Sequence, residues 1–384
     1  MNYKLLSELS LNPKGTYGIA ASSCSYDPSF PQYIRITDIS DDGRYVPSPC
    51  VSLNPNEYPE YYEYFLREND IVFARTGAST GRNYFFNPQD GDLVFAGFLI
   101  KFSLNPNVII PKYVKYYCQT KQYYDWISTT MTGSTRGNIN AQTLGLLPIP
   151  IVSQEVQRHI VDILGTLDDR IENCNNQIQK LNSLIALLFN SFNAKDCKKD
   201  YLKNLCSVIT KGTTPTTINK DFVKSGIPFI KVESLTENHQ VDDSKLAYID
   251  EETNELLQRS KIRYKDCLVS IAGTIGRFAL LPAHIGNANT NQAIAILRAK
   301  DIAPEYLYAI FLSGICNEQI KAKTVQAVQA NLSLSVVGSL EVPIIMDQTF
   351  LTQLYQSYEL IEHLLNTSRT LKKLKEIYLK KFFG

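Results

Sequence analysis

From residue 153 to about 194 the apolar positions fall at Ile160, Leu164, Leu167, Ile171, Ile178, Leu181, Ile185, Leu188 and Phe192. The steps between them are 4, 3, 4, 7, 3, 4, 3 and 4, the seam of a heptad helix. No proline interrupts the segment, and Gly165 is its only glycine. Residues 347 to 382 repeat the pattern with Leu354, Tyr358, Ile361, Leu365, Leu371, Leu374 and Tyr378. A helix of about 40 residues is roughly 60 Å long, too long to lie within one domain of about 150 residues. The two helices are therefore expected to pack on each other, antiparallel, as a coiled coil that holds two globular parts at opposite ends.

The rest of the chain alternates on a shorter period. "YIRI", "DIVFAR" and "LVFAGFLIKF" read as strands in the first half, and "IPFIKV", "DCLVSIAG" and "QAIAILRA" in the second, punctuated by Gly, Pro, Asn and Asp. A helix is expected after each proline-led start, over 111–128 and 304–322. These runs repeat in order. "YIRITDIS" at 33 matches "FIKVESLT" at 229, and "NDIVFARTG" at 69 matches "KDCLVSIAG" at 265. "PKYVKYY" at 111 matches "PEYLYAI" at 304, and "LPIP" at 147 matches "LEVP" at 340. An ordered series of this kind is an internal duplication. The expected class is α+β: two β-rich globular domains separated by two long helices, with a pseudo-two-fold repeat. The boundaries expected are 1–152 and 196–345 for the globular domains, and 153–195 and 346–384 for the helices.

Composition narrows the function more by what it lacks. The 384 residues are 44% hydrophobic and 20% charged, with a formal net charge of +1. Nucleic-acid binding would then need local clusters of basic residues. Eight cysteines, at 24, 50, 118, 174, 197, 206, 267 and 316, form no C-x-x-C pair, and four histidines lie far apart. That is poor material for a metal site and suits free thiols in a reducing cytosol. No signal peptide or membrane span is expected.

"FARTGASTGRN", residues 73 to 83, has the look of a phosphate cradle, but its spacing is wrong for a P-loop or a dinucleotide fingerprint. No nucleophile elbow, H-E-x-x-H or N-P-P-[FY] occurs. Asp168 and Asp169 are adjacent carboxylates on different faces of a helix, which suits a structural role. The positive reading is a strand–turn–strand from which Arg75, Thr76, Ser79, Thr80 and Arg82 project hydrogen-bond donors. Arginine can fork onto guanine, and hydroxyls can meet bases or phosphates. The second copy, "VSIAGTIGRF", offers Ser270, Thr274 and Arg277, with Lys231 upstream. A second polar loop, 129–143, carries Ser134, Thr135, Arg136 and Asn138. Its counterpart, 321–333, carries Lys323, Gln326, Gln329 and Asn331. Asn and Gln suit adenine as Arg suits guanine. The flanks match while the loops differ, the pattern of two readers of different sequences.

The duplicated halves, the "DIVFARTGASTGR" and "DCLVSIAGTIGR" turns, the "GSTRGNINAQTLGLLPIPI" segment and the "L-x-K-L-K" ending resemble the specificity subunits of type I restriction–modification systems. The resemblance covers almost the whole chain. It implies that each globular domain is a target recognition domain for one half of a split site in double-stranded DNA, and that the helices set the spacer. Adenine methyltransferase subunits, two of them, and restriction/translocase subunits would be the partners. S-adenosylmethionine, ATP and Mg would belong to those partners, and this chain would be non-catalytic and cytoplasmic. Copy two has "VQAVQAN" in place of "STRGN", so the half-sites are expected to differ. The lysines and arginines of the last 24 residues, Arg369, Lys372, Lys373, Lys375, Lys380 and Lys381, read either as a solvated face or as a basic patch. The alternatives are a coiled-coil scaffold that binds protein only, and a nuclease with unrecognised catalytic residues.

Overall fold

The structure is a computed structural model that describes residues 2–47, 49–131, 137–193, 197–325 and 331–384. The chain forms two compact units. Unit 1 holds the residues up to 171 together with 369–384, and unit 2 holds 172–368.

Unit 1 is built on a four-stranded antiparallel sheet of β1 (Thr16–Tyr17), β2 (Asp70–Ala74), β3 (Asn83–Phe85) and β4 (Leu99–Ser103), in the order β1-β4-β2-β3. Every residue of β2 is buried, because both faces of the sheet are covered. Ile71 and Phe73 pack with Tyr113, Tyr116 and Tyr123 on one side, and Val72 and Ala74 with Ile34, Tyr84 and Phe95 on the other. A run buried on two faces loses its alternation, so "DIVFA" reads as continuous apolar sequence. "LVFAGFLIKF" proves to be two strands in two sheets. Leu93–Phe95 pairs in parallel with Gln32–Ile34, and Leu99–Ser103 belongs to the first sheet.

The helix expected over 111–128 is broken into Pro111–Tyr117 and Lys121–Met131. Thr120 makes the break: its hydroxyl donates to the Tyr117 carbonyl at 2.7 Å and accepts from the Tyr123 N–H at 3.3 Å. Unit 2 breaks its counterpart into Pro304–Leu312 and Ile315–Val325 at Gly314, whose φ of +85° ends a helix at little steric cost.

Unit 2 repeats the plan. Its sheet holds β5 (Cys206–Lys211), β6 (Cys267–Ser270), β7 (Phe278–Leu280) and β8 (Ile294–Ala299) in the order β5-β8-β6-β7. The repeat extends to single hydrogen bonds. The Tyr113 hydroxyl donates to the Pro150 carbonyl at 2.9 Å, and Tyr306 donates to Pro343 at 2.9 Å. Asp70 accepts the Arg67 N–H at 2.9 Å, and Asp266 accepts the Arg263 N–H at 2.8 Å. Both aspartates are buried and both have a cation partner, Lys101 at 3.4 Å and Arg298 at 2.6 Å.

The long helices form as α1 (Gln154–Asn193) and α2 (Gln348–Phe383). In unit 1 their parts run antiparallel. His159 lies beside Phe382, Asp168 holds Lys375 at 2.5 Å, and Phe383 packs on Tyr113 and Tyr117. In unit 2 Phe189 packs on Phe350, while Tyr308 hydrogen-bonds Asn182 at 2.8 Å and packs on Tyr358. The seam departs from expectation at Leu374, which is 38% exposed. The next residue, Lys375, turns onto Asp168 instead, so an ion pair occupies that layer.

Among the described residues no helix is long and apolar enough to cross a membrane, and no three of His, Cys, Asp and Glu gather to hold a metal. All eight cysteines are free.

Candidate nucleic-acid interface

In unit 1 the ends of β1 and β2 and the starts of β3 and β4 form one rim of the sheet. The "RTGASTGR" turn lies on it. Gly77 and Gly81 have φ of +70° and +89°, and a short 3-10 helix, Gly77–Ser79, lies between β2 and β3. The Gly81 N–H donates to the Ala74 carbonyl at 2.9 Å, which closes the turn. The second polar loop joins the same rim. Ile139 N–H donates to the Arg75 carbonyl at 2.9 Å, Thr76 bridges to Asn138, and the Thr80 hydroxyl donates to the Gly137 carbonyl at 2.9 Å. Two stretches read separately in the sequence therefore lie side by side.

The residues expected to read DNA divide by what their side chains do. Arg75 stacks its guanidinium 4.9 Å from the Tyr17 ring centroid, and its Nε is buried without a partner among the described residues. Thr76 and Ser79 are half-buried, and Asn138 is exposed. The Thr80 hydroxyl is engaged by Gly77 and Gly137. Arg82 is engaged too, by the Asp41 carboxylate at 2.6 Å and the Ile39 carbonyl at 3.4 Å. Ser134, Thr135 and Arg136 lie outside the described residues.

Unit 2 carries the same backbone with other side chains. Arg75 N–H donates to the Phe98 carbonyl at 3.0 Å, and Ile271 N–H donates to the Ala293 carbonyl at 2.8 Å. The Arg75 carbonyl accepts from Ile139, and the Ile271 carbonyl accepts from Leu332. Ile271 thus stands where Arg75 stands, and it is buried. Ser270 is fully buried, with its hydroxyl spent on the Thr274 carbonyl at 2.5 Å. It fixes the turn and cannot reach a ligand, which corrects its place among the readers. Arg277 repeats the Arg82 clamp, onto the Leu235 carbonyl at 3.2 Å and Glu237 at 3.0 Å. Thr274 and Asn331 are exposed on the rim. Lys231 lies beside Glu233 at 3.4 Å and over the Phe222 ring. Lys323 is tied to the Ser339 hydroxyl at 2.9 Å. Gln326 and Gln329 lie outside the described residues.

Sequence reasoning missed Tyr17, which is 40% exposed, and Phe98, which is 60% exposed at the tip between its two strands. A large aromatic ring flanked by glycine in "AGFL" is the signal that was available. Lys375, from the expected basic patch, faces Asp168 rather than solvent, and Arg369 also has a partner.

The model of the type I restriction modification DNA specificity domain matches the chain twice, over residues 4–183 and 195–367. The chain is 28% identical over 148 residues to the HindI specificity subunit of Haemophilus influenzae, covering 37% of this chain and 32% of that one. It is 24% identical over 255 residues to the EcoBI specificity subunit of Escherichia coli, covering 58% and 53%. The matches thus span about a third and about half of these relatives' lengths. The crystal structure of a type I restriction–modification S subunit from M. genitalium superposes with a TM-score of 0.52 at 16% identity, over 100% of this chain and 96% of that one. At that identity the likeness is one of fold.

Proposed function

The chain belongs to the type I restriction–modification DNA specificity family, and from that premise we propose that it is the non-catalytic subunit that reads a split site in double-stranded DNA. Residues 1–152 are the target recognition domain for one half-site and 196–345 for the other. Residues 153–195 and 346–384 set the spacer and dock the partners. Those partners are adenine methyltransferase subunits, two per complex, and restriction/translocase subunits. S-adenosylmethionine, ATP and Mg act in the partners, and the assembly works in the cytoplasm.

One observation carries this reading. The two rims share their backbone hydrogen bonds, yet the exposed Tyr17 of one is matched by the exposed Lys211 of the other, and Arg75 is replaced by the buried Ile271. A scaffold selected only to fold would have no need to vary its exposed rim while keeping its frame. A pair of readers of unlike sequences needs that variation. On the unit 1 rim Arg75, Tyr17 and Asn138 present the chemistry that meets base edges: an arginine fork, an aromatic ring and a carboxamide.

The test is co-expression of the chain with an adenine methyltransferase of its own system, followed by single-molecule mapping of methylated adenines. A split motif with a fixed gap supports the reading. A complex that assembles but methylates no such motif returns the chain to a protein-binding scaffold. DNA cleavage by the isolated chain would make it a nuclease.

A further inference from the structure

Unit 2 has Ile271 at the position of Arg75, and the one arginine of its turn, Arg277, is paired with Glu237. Lys220, Lys245 and Lys261 are likewise paired, with Glu252, Asp242 and Glu255. The basic chemistry of its rim lies elsewhere. Tyr17 pairs in register with Ile100, and Lys211 with Ala295, each at the same point of its sheet. Lys211 therefore stands where Tyr17 stands. It is exposed, and no carboxylate among the described residues pairs with it.

The chain beyond Lys211 is held tightly. Gly212 lies so close to the Thr290 carbonyl that a Cβ would fall 1.9 Å from its oxygen. Thr213 N–H donates to the same carbonyl at 3.0 Å. The Thr213 hydroxyl then accepts from Nη2 of Arg259 at 3.2 Å, and the Thr214 hydroxyl donates to Oε1 of Gln292. Arg259 and Gln292 are exposed, and no carboxylate among the described residues pairs with Arg259. The loop that carries Gln292 also carries Ala293, whose carbonyl accepts from Ile271. Arg259, Gln292 and Lys211 thus come from three distant points in the sequence to one edge, and Arg259 and Gln292 are each steadied by a threonine hydroxyl.

We propose that unit 2 reads its half-site through Arg259 and Gln292, with Lys211 on a phosphate, and not through the counterpart of the Arg75 turn. This rests on the function argued above. A guanidinium fork with one edge free suits guanine O6 and N7. A carboxamide whose oxygen is already oriented by Thr214 presents its NH2 to a base edge, as Gln does to adenine. Lysine supplies a point charge for the backbone, and carries no sequence information.

The experiment uses the assembled methyltransferase complex and maps methylated adenines for Arg259→Ala, Arg259→Lys, Gln292→Ala and Lys211→Ala. Arg259→Ala and Gln292→Ala are expected to relax bases in one half of the motif, by about ten-fold or more per lost contact. That half is the one Arg75→Ala leaves intact. Arg259→Lys keeps the charge, so binding persists while the base preference relaxes, which a folding defect would not produce. Lys211→Ala is expected to leave the motif unchanged and reduce the salt slope of binding by about one. An unchanged motif in both Arg259 variants and in Gln292→Ala, with complexes fully assembled, overturns the proposal and leaves the general function standing. A parental complex without a split motif sinks both.

Discussion

Nε of Arg82 lies 2.6 Å from the carboxylate of Asp41. The Asp41 side chain is 75% exposed, so the ion pair itself contributes at most about 1 kcal/mol. Its effect is to tie the 35–41 segment to the turn, as Arg277 and Glu237 do in unit 2. Arg82→Ala is therefore expected to lower stability by about 1 kcal/mol while the recognised bases stay the same. Arg75→Ala should do the reverse. Among the described residues its guanidinium meets the Tyr17 ring, worth about 0.5–1 kcal/mol. Loss of a base contact costs about 1–3 kcal/mol in one half-site alone. Thermal melts and a methylation map of both variants separate the two roles. A changed motif in Arg82→Ala would place that arginine on the DNA.

Asp168 accepts from Lys375 at 2.5 Å, from Lys115 at 3.4 Å and from the Tyr116 hydroxyl at 3.0 Å. Burial holds the Lys115 ammonium below the usual lysine range, even with this carboxylate beside it. Asp168→Ala would leave the Lys115 and Lys375 ammoniums, both largely buried, without the carboxylate that they share. The expected loss is about 2 kcal/mol, read as a lower midpoint in urea unfolding. Asp169→Ala, on the neighbouring face of the helix, should change stability by less than about 0.5 kcal/mol. Equal effects from the two would mean that the network contributes nothing.

The duplication and the long helices were legible because each is written in local pattern: a heptad seam, and motifs kept in order. The reader residues were only partly legible. "ARTGASTGR" drew attention to five donors, but two of them, Thr80 and Arg82, are spent on partners at Gly137 and Asp41 that the sequence places far away. Ser270 looked like a polar tip and is a buried clasp. Arg259, Gln292 and Lys211 carried no signal, since it is the pairing of β5 with β8 and the hydrogen bond of Arg259 to Thr213 that bring them to one edge. Leu374 shows the limit of the seam itself. A heptad predicts which face is inward, but not that an aspartate on the facing helix draws the next lysine in.

Gly18 and Gly212 mark the same close approach in the two copies. A Cβ on Gly18 would lie 2.2 Å from the Ala96 carbonyl oxygen, and on Gly212 1.9 Å from that of Thr290. In neither case is a flexible side chain in the way, so the backbone itself must move. Gly18→Ala and Gly212→Ala are each expected to destabilise by about 1–3 kcal/mol or more. Gly273→Ala makes no such contact and should cost less, from its φ of +71° alone. Chemical unfolding of the three variants gives the order. A milder effect at Gly212 than at Gly273 would contradict the packing described.

His239 gives unit 2 a pH response. Its ring stacks on Phe278 at 4.0 Å and meets the Tyr308 ring edge-on, and its Nδ1 is buried without a partner among the described residues. Burial among these rings lowers its pKa from 6.5 to about 4. The folded chain therefore keeps His239 neutral down to about pH 4, while the unfolded chain takes up the proton near pH 6.5. Between those values the unfolded state binds more protons, so stability falls as the pH falls through the window. The full span of the shift corresponds to at most about 3 kcal/mol. His239→Leu removes the titrating group and keeps an apolar side chain against Phe278. Its unfolding free energy should lose less than the parent's between pH 7 and 4.5. Parallel curves over that range would mean that His239 takes its proton in the folded state as readily as in the unfolded one.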